Sequence, residues 1–204
     1  MTTIIADDAL ALQRLYHWER TAPERVALTQ PLGGGVVRDY TWREVLDQSR
    51  RMAAHLQSLG LQPGDRIAIL SKNTAHWLMS DFAIWLAGCV SVPLFPTLAP
   101  GTIWQILEHS ESRLLFVGKL DGWDHMKSGV PEGLPCISHP LAPQDAQENN
   151  PRWDDIAAST FADGYASVGY RKSGQVVRAR FRVGWFEAAV AGPIAEADAI
   201  AVYD

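Results

Sequence analysis

The sequence contains few cysteines and no excess of positive charge. Two cysteines, Cys89 and Cys136, occur among 204 residues, which excludes a disulfide-stapled scaffold and a cysteine-rich zinc module. This usage indicates a reducing compartment in which one or both thiols are buried. The formal net charge is −5, which disfavours a general nucleic-acid binder, because such proteins normally carry a basic face.

Long hydrophobic runs are also lacking. The densest apolar stretch, residues 77–92, is interrupted by Ser80, Asp81 and Ser91, whereas a membrane-spanning helix needs about 20 mostly apolar residues. The beginning of the chain carries two aspartates and no basic segment, so it does not resemble a secretory signal. We therefore expect a cytoplasmic protein.

The residues that are present describe a globular protein with a hydrophobic core. The chain is 47% hydrophobic and 20% charged, with eight Trp, five Tyr and six Phe. Residues 12–20 have helical spacing, and residues 25–40 predict two strands joined by a turn at Gly33–Gly35. Thr41 and Glu44 have the spacing of a capping box that begins a second helix. Gly60 fits the left-handed position that ends it.

The next segments predict a buried parallel sheet. Pro93 indicates that the strand that contains it ends there or lies at an edge of the sheet. A helix is predicted from Asn73 or Thr74 to about Gly88; it is apolar almost all round, so we expect it to be buried. A further helix is predicted over residues 102–110. Three continuous apolar runs are typical of strands buried on both faces: Arg66–Leu70, Cys89–Phe95 and Leu114–Val117. This order predicts an α/β fold with a partial doubly wound, mostly parallel sheet flanked by helices.

The pattern weakens after Gly118 and changes character at Thr160. Between them we expect, in order, a short helix, a strand, a surface loop and another short helix: 123–126, 134–138, 141–152 and 153–159. Beyond Thr160, residues 165–183 alternate loosely and carry five basic side chains, and residues 188–201 are rich in alanine.

Two glycine-containing segments are candidates for phosphate binding. Gly33–Gly35 is not followed by Lys-Ser/Thr and lies in the predicted hairpin, so a turn is favoured over a phosphate cradle. Lys172–Gly174 lacks the upstream glycines of a nucleotide loop and also predicts a turn.

The other candidate residues have ordinary structural interpretations. The histidines are dispersed without ligand spacing, which disfavours metal binding: His17, His55, His76, His109, His125 and His139. His76 and His109 lie near predicted helix ends, where capping or surface roles are ordinary. Cys89 is interpreted as a small buried hydrophobe rather than a nucleophile. Asp65 and Arg66 suit a turn or an ion pair. We therefore assign no catalytic, cofactor-binding or metal-ligating residue from these patterns.

Aromatic and basic clusters are interpreted in the same way. Trp77, Trp85 and Trp104 could line an acyl or aromatic pocket, but tryptophans at helical spacing more often pack in a core. The basic side chains of residues 171–182 could contact an acidic partner, although a solvated strand face is favoured.

Four segments together resemble the amino-terminal part of AMP-forming acyl-CoA synthetases, in the adenylate-forming ligase superfamily. The first has the family's Y-T-[WY]-x-E pattern, and the second contains its L-G-x-x-P-G-D-R run. The third and fourth are most similar to the long-chain fatty acid branch. The four occur in the family's order: Tyr40–Glu44, Leu59–Asn73, Gly88–Thr97 and Ile106–Arg113. With looser flanks, the resemblance covers about residues 12–158.

This resemblance implies a fold, a reaction and a missing motif. The implied fold is the N-terminal subdomain of the adenylate-forming ligases. The family joins a fatty acid to ATP, with magnesium, as an acyl-adenylate and then passes the acyl group to coenzyme A. Its triphosphate loop, T-S-G-T-T-G-x-P-K-G, is expected soon after Trp153–Ile156, but nothing after Ser159 matches it. Later family motifs are also unmatched, so no family site residue is carried over.

We therefore expect residues 1–159 to be part of a synthetase domain and residues 160–204 to be a divergent, loosely added or poorly ordered tail. Either a reading-frame shift or a natural truncation with a new tail would produce this change. The expected function is that of a truncated AMP-dependent long-chain fatty acyl-CoA synthetase. The chain alone is expected to be inactive and to bind none of ATP, magnesium and coenzyme A tightly.

One alternative is a decayed gene product without a role. The other is a non-catalytic module that docks on a full-length synthetase or an acyl-carrying partner. Its partners could include other copies of the chain, through exposed apolar surface, and a membrane surface. A fatty acid is the substrate that the resemblance implies, and nucleic acid is not expected.

Overall fold

The computed structural model describes residues 10–159, 165–172 and 175–182. Its helices are α1 Ala11–Thr21, α2 Trp42–Ser58, α3 Ala75–Leu86, α4 Pro100–His109, α5 Trp123–Met126, α6 Gln144–Asn149 and α7 Trp153–Ser159. Its strands are β1 Val26–Gly33, β2 Val36–Thr41, β3 Arg66–Leu70, β4 Val90–Leu94, β5 Leu114–Val117, β6 Cys136–Ser138, β7 Tyr165–Lys172 and β8 Gln175–Arg182.

The central feature is a four-stranded parallel sheet with the order β4-β3-β5-β6. β3 lies between β4 and β5, and its side chains point alternately to the two faces. Ile67 and Ile69 join one hydrophobic cluster, whereas Ala68 and Leu70 join the other. The predicted continuous apolar strands at Arg66–Leu70 and Leu114–Val117 are confirmed, because each strand is covered on both faces.

Helices cover both faces of this sheet, so the predicted doubly wound α/β class is confirmed. One face packs against α1, α2, α3 and α7. The other face packs against α4, α5 and α6. Trp153 of α7 has no exposed surface, and its Nε1 donates a hydrogen bond to Oε1 of Gln48 at 3.0 Å. This contact ties α7 to α2 on the first face.

Local hydrogen bonds explain where α2 and α3 begin. The Glu44 amide donates to Oγ1 of Thr41 at 3.3 Å, and the Thr41 amide donates to Oε2 of Glu44 at 2.7 Å, so the predicted capping box is confirmed. Thr74, rather than Asn73, caps α3 by accepting from the Trp77 amide. Gly60 follows α2 with φ 84°, the left-handed conformation expected of a helix-ending glycine.

An antiparallel hairpin, β1–β2, precedes this body. Gly33, Gly34 and Gly35 have φ values of 98°, 58° and 81°, which other residues adopt only with strain. The turn predicted at these glycines is confirmed. β7 and β8 form a second antiparallel pair in which Lys172 lies opposite Gln175; Ser173 and Gly174 lie outside the described residues.

Predictions for one loop and two strands were wrong. Residues 141–152 were predicted as a surface loop but contain α6, whose Ala146 is buried against the second face; a short helix with mostly polar side chains leaves little periodicity. The strand predicted at 134–138 is limited to β6. β4 was predicted as buried but is an exposed edge strand, as Pro93 indicated: Val90 is 49% exposed.

α3 was predicted to be buried all round, and the structure buries only one side of it completely. Met79, Ala83 and Ile84 are buried, whereas Trp77 and Trp85 are half-buried. In the described part of the chain, no helix is long and apolar enough to cross a bilayer.

Candidate functional site

The carboxyl ends of β3 and β5 form the candidate site. The chain leaves β3 towards β4 on one side, then returns past β3 to β5 on the other. Ligands of open α/β sheets bind in the crevice at such a reversal of strand order. Ser71 and Lys72 follow β3 here, and Gly118 and Lys119 follow β5.

Hydrogen bonds between these two segments close the crevice. The Lys72 amide donates to the Lys119 carbonyl at 2.9 Å. Oγ of Ser71 accepts from the Lys119 amide at 3.1 Å and donates to the Lys72 carbonyl at 2.6 Å. A Cβ atom on Gly118 would lie 2.1 Å from Oγ of Ser71. The amide donors that a phosphate would need are therefore already bonded within the chain. The space beside Gly118 is filled by the Ser71 side chain.

The rim of the crevice is charged. Nζ of Lys72 forms an ion pair with the Asp121 carboxylate. Lys119 is exposed and forms no ion pair with a described acidic residue. One unneutralised ammonium at an exposed rim attracts anions weakly, because water screens it.

Two buried histidines lie behind the crevice. His76 and His139 have ring centroids 6.0 Å apart, and each contacts the Trp153 ring edge-on. Burial lowers the pKa of His76 to about 4, with a smaller contribution from Arg38. Burial also lowers the pKa of His139, and His76 adds to this effect. Both rings are therefore neutral at pH 7.

Ser80 and His139 form a contact that could be mistaken for a catalytic pair. Oγ of Ser80 lies 2.8 Å from Nε2 of His139, within the reach that general-base catalysis requires. Neither residue is accessible, since Ser80 is 0% and His139 1% exposed. Nδ1 of His139 has no hydrogen-bond partner among the described residues, so no carboxylate orients the ring. The pair is part of the core.

The amino terminus of α3 is also occupied. The Ala75 amide donates to Oε1 of buried Gln30 at 2.9 Å, and the Trp77 amide donates to Oγ1 of Thr74 at 3.1 Å. A free helix N-terminus would offer these amides to an anion. Here two side chains of the chain itself accept them.

A surface cavity of about 420 Å³ lies at the opposite end of the strands, beside the amino end of β5. Glu108, Glu111 and Glu132 line it together with Arg113. Arg66 neutralises Glu111 through an ion pair, which leaves two carboxylates against the Arg113 guanidinium. The lining therefore carries a small net negative charge, which disfavours an anionic ligand. Among the described residues, no group of three or more His, Cys, Asp or Glu side chains could hold a metal ion.

The candidates taken from the sequence fall in separate places. Cys89 is buried and Cys136 half-buried, and burial raises the pKa of each thiol to about 11, which disfavours a nucleophilic role. Arg66 pairs with Glu111. Trp104 is 51% exposed, so its expected core role was wrong. The side chains of residues 171–182 lie outside the description.

The contact of Ser71, Gly118 and His139 at the crevice was missed by sequence reasoning. Each follows directly after a parallel strand, and that position is the signal that could have identified them.

Solved structures show where the same fold occurs. The structure is similar to an acetoacetyl-CoA synthetase from Streptomyces lividans, with a TM-score of 0.62 and 22% identity over 72% of this chain and 24% of that one. It is also similar to a benzoate CoA ligase from Burkholderia xenovorans, with a TM-score of 0.58 and 20% identity over 84% of this chain and 34% of that one. These likenesses show that the chain shares its fold with a part of each of these two proteins.

Sequence comparison then gives the family. The family described as AMP-binding enzyme matches residues 15–173, so the chain belongs to it, and the resemblance stated from four segments is confirmed. The long-chain-fatty-acid–CoA ligase FadD15 of Mycobacterium bovis is 38% identical over 127 residues, covering 62% of this chain and 21% of the relative. The fatty acid–[acyl-carrier-protein] ligase ScoC of Streptomyces coeruleorubidus is 30% identical over 127 residues, covering 60% and 24%. The chain thus spans about a fifth to a quarter of these relatives.

Proposed function

We propose that the chain is the amino-terminal portion of an AMP-forming ligase that activates a long-chain fatty acid. In the complete reaction, the fatty acid carboxylate attacks the α-phosphate of ATP, which gives an acyl-adenylate and releases pyrophosphate. The thiol of coenzyme A then attacks the acyl carbon, which gives the thioester and releases AMP. The observation that carries this proposal is the 38% identity to a long-chain-fatty-acid–CoA ligase over 127 residues.

The described residues do not fit ATP by themselves. A triphosphate needs converging N–H donors and cations. Here the amides at the start of α3 are taken by Gln30 and Thr74, and the glycine turn is an exposed hairpin tip. We infer that groups outside residues 10–159 hold ATP, magnesium and coenzyme A. Residues 10–159 supply the scaffold on which those groups are placed.

The 204-residue chain by itself is therefore expected not to form an acyl-adenylate. The test is fatty-acid-dependent exchange of labelled pyrophosphate into ATP, with full-length FadD15 as the positive control. We expect no exchange above the rate without fatty acid. Exchange that depends on the fatty acid would show that this chain holds a working adenylation site.

A second candidate is a non-catalytic module that docks on a full-length synthetase or an acyl-carrying partner in the cytoplasm. Phe95, at the end of the edge strand β4, is 76% exposed, and exposed large apolar side chains often mark interaction sites. Co-purification of tagged chain with full-length FadD15, at a stoichiometry near one to one, would support this candidate. A monomer that retains no synthetase would count against it.

A further inference from the structure

The outer side of α3, the side opposite its fully buried residues, is apolar. Trp77, Phe82 and Trp85 on this side are half-buried, and each packs in part against the core. The helix contains one carboxylate, Asp81, and no lysine or arginine. A helix that is apolar on all sides is normally buried on all sides. The sequence of α3 therefore suits a helix between two layers, and the described residues supply one of them.

Asp81 lies within this apolar side without a cation. Its carboxylate accepts a hydrogen bond from the Ser91 hydroxyl, and it is half-buried. Burial raises its pKa. No described Lys, Arg or His forms an ion pair with it. Because buried carboxylates are normally paired, a layer that covers this side would be expected to bring a positive charge.

The neighbouring edge of β4 is unsuited to strand addition. The Val90 amide donates to the Asp65 carbonyl, towards β3, at 2.8 Å. Since donor directions alternate along a strand, residues 91 and 93 of β4 turn theirs to the open edge. Pro93 has no amide hydrogen, so the Ser91 amide is the one donor that β4 offers there. A partner at this end of the sheet would therefore pack through side chains over α3.

We propose that the outer side of α3, with Asp81 at its centre, is the surface against which the remaining portion of the ligase packs, and that this portion places a lysine or arginine on Asp81. This inference rests on the proposed function. It is supported by the lengths of the relatives, in which the same fold makes up about a quarter of a solved synthetase chain. A ligase of the length of these relatives thus carries ample chain to supply the second layer.

The test replaces the matched segment of FadD15 with the corresponding residues of this chain. Asp81→Asn and Trp85→Arg are introduced into this graft and into the free 204-residue chain. Ser58→Arg, at the exposed end of α2, is the matched control for an added charge. Thermal midpoints are measured for all proteins, and fatty acid activation is measured for the grafts.

We expect opposite signs for Asp81→Asn. It raises the thermal midpoint of the free chain, where the carboxylate has no cation, and lowers it in the graft, where a cation is lost. Trp85→Arg is expected to lower the activity of the graft by about tenfold or more, the effect of about 1.4 kcal/mol, whereas Ser58→Arg leaves it within about twofold.

Three results would overturn the inference. The first is a shift of the thermal midpoint by Asp81→Asn in the same direction in the graft and in the free chain, and the second is a graft with the original residues that does not fold. The third is a free chain that dimerises and loses its dimerisation on Trp85→Arg, which would assign the surface to a second copy. A graft that folds but activates no fatty acid would overturn the proposed function alone, because the midpoints still decide the packing.

Discussion

α2 and α3 pack on the same face of the sheet but differ on their outer sides. α2 presents Arg43, Glu44, Asp47 and Arg51 outwards, and its buried residues lie on the opposite side. α3 has the same kind of buried side, but its opposite side carries half-buried tryptophan and phenylalanine that pack in part against the core. Charged side chains suit this side of α2 to contact with water, whereas the apolar side of α3 suits it to contact with a second layer.

The inner sides of the two helices should be energetically equivalent. Leu46 of α2 and Met79 of α3 are both 0% exposed. Leu46→Ala and Met79→Ala should each lower the free energy of unfolding by about 2–5 kcal/mol, through lost burial and a residual cavity. Urea unfolding monitored by circular dichroism measures both. A loss below about 1 kcal/mol for Met79→Ala alone would mean that α3 is not anchored as α2 is.

The free energy of unfolding should depend on pH because of the buried His76 on α3. His76 is neutral in the folded chain because burial lowers its pKa from 6.5 to about 4. Between these values the unfolded chain binds more protons, so stability should fall as the pH is lowered from about 6.5 to 4. At 1.36 kcal/mol per pKa unit, His76 accounts for about 3 kcal/mol.

This loss can be assigned with two variants. His76→Gln should flatten the dependence of unfolding free energy on pH between 4 and 6.5, leaving the part due to His139. His125→Asn, which changes an exposed histidine, should leave the dependence as it is. An unchanged slope for His76→Gln would contradict the assignment.

The helix caps provide a smaller test. Thr41 caps α2 within a capping box, and Thr74 caps α3 through one amide. Thr41→Ala and Thr74→Ala should each cost about 0.5–2 kcal/mol. The serine variants should restore most of that loss, because they keep the hydroxyl. Failure of Thr41→Ser to restore stability would point to lost methyl packing instead of a lost cap.

The smallest expected changes in stability come from the outer sides of the two helices, and they should have opposite signs. Arg51 and Asp47 form an i, i+4 ion pair on α2, so Arg51→Gln should cost about 0.2–1 kcal/mol. Asp81→Asn on α3 should instead stabilise the free chain at pH 7, by less than about 1 kcal/mol, because it removes a carboxylate whose pKa burial raises. Differential scanning calorimetry at pH 7 compares them. Destabilisation by both would remove the contrast between the helices.

Where the fold could be predicted, the signal was local. β3 and β5 had the predicted bounds because burial on both faces makes their sequences continuously apolar. The start of α2 followed from two side chains three residues apart. α6 was missed because its burial depends mainly on Ala146, which gives no periodicity.

The candidate site could be predicted less well, for a physical reason. Ser71, Gly118 and His139 are far apart in sequence and meet because β3, β5 and β6 are neighbours in the sheet. Strand order depends on the whole sheet and leaves no mark on any one segment. The half-burial of the α3 tryptophans is also absent from the sequence pattern, which describes a helix covered on both sides.

Resequencing the gene and translating the DNA beyond codon 159 in all three frames tests whether this chain is one portion of a fatty-acid-activating ligase. We expect a run encoding Thr-Ser-Gly-Thr-Thr-Gly-x-Pro-Lys-Gly in one frame, followed by the rest of a ligase. The absence of that run from every frame would contradict this expectation and favour the docking module.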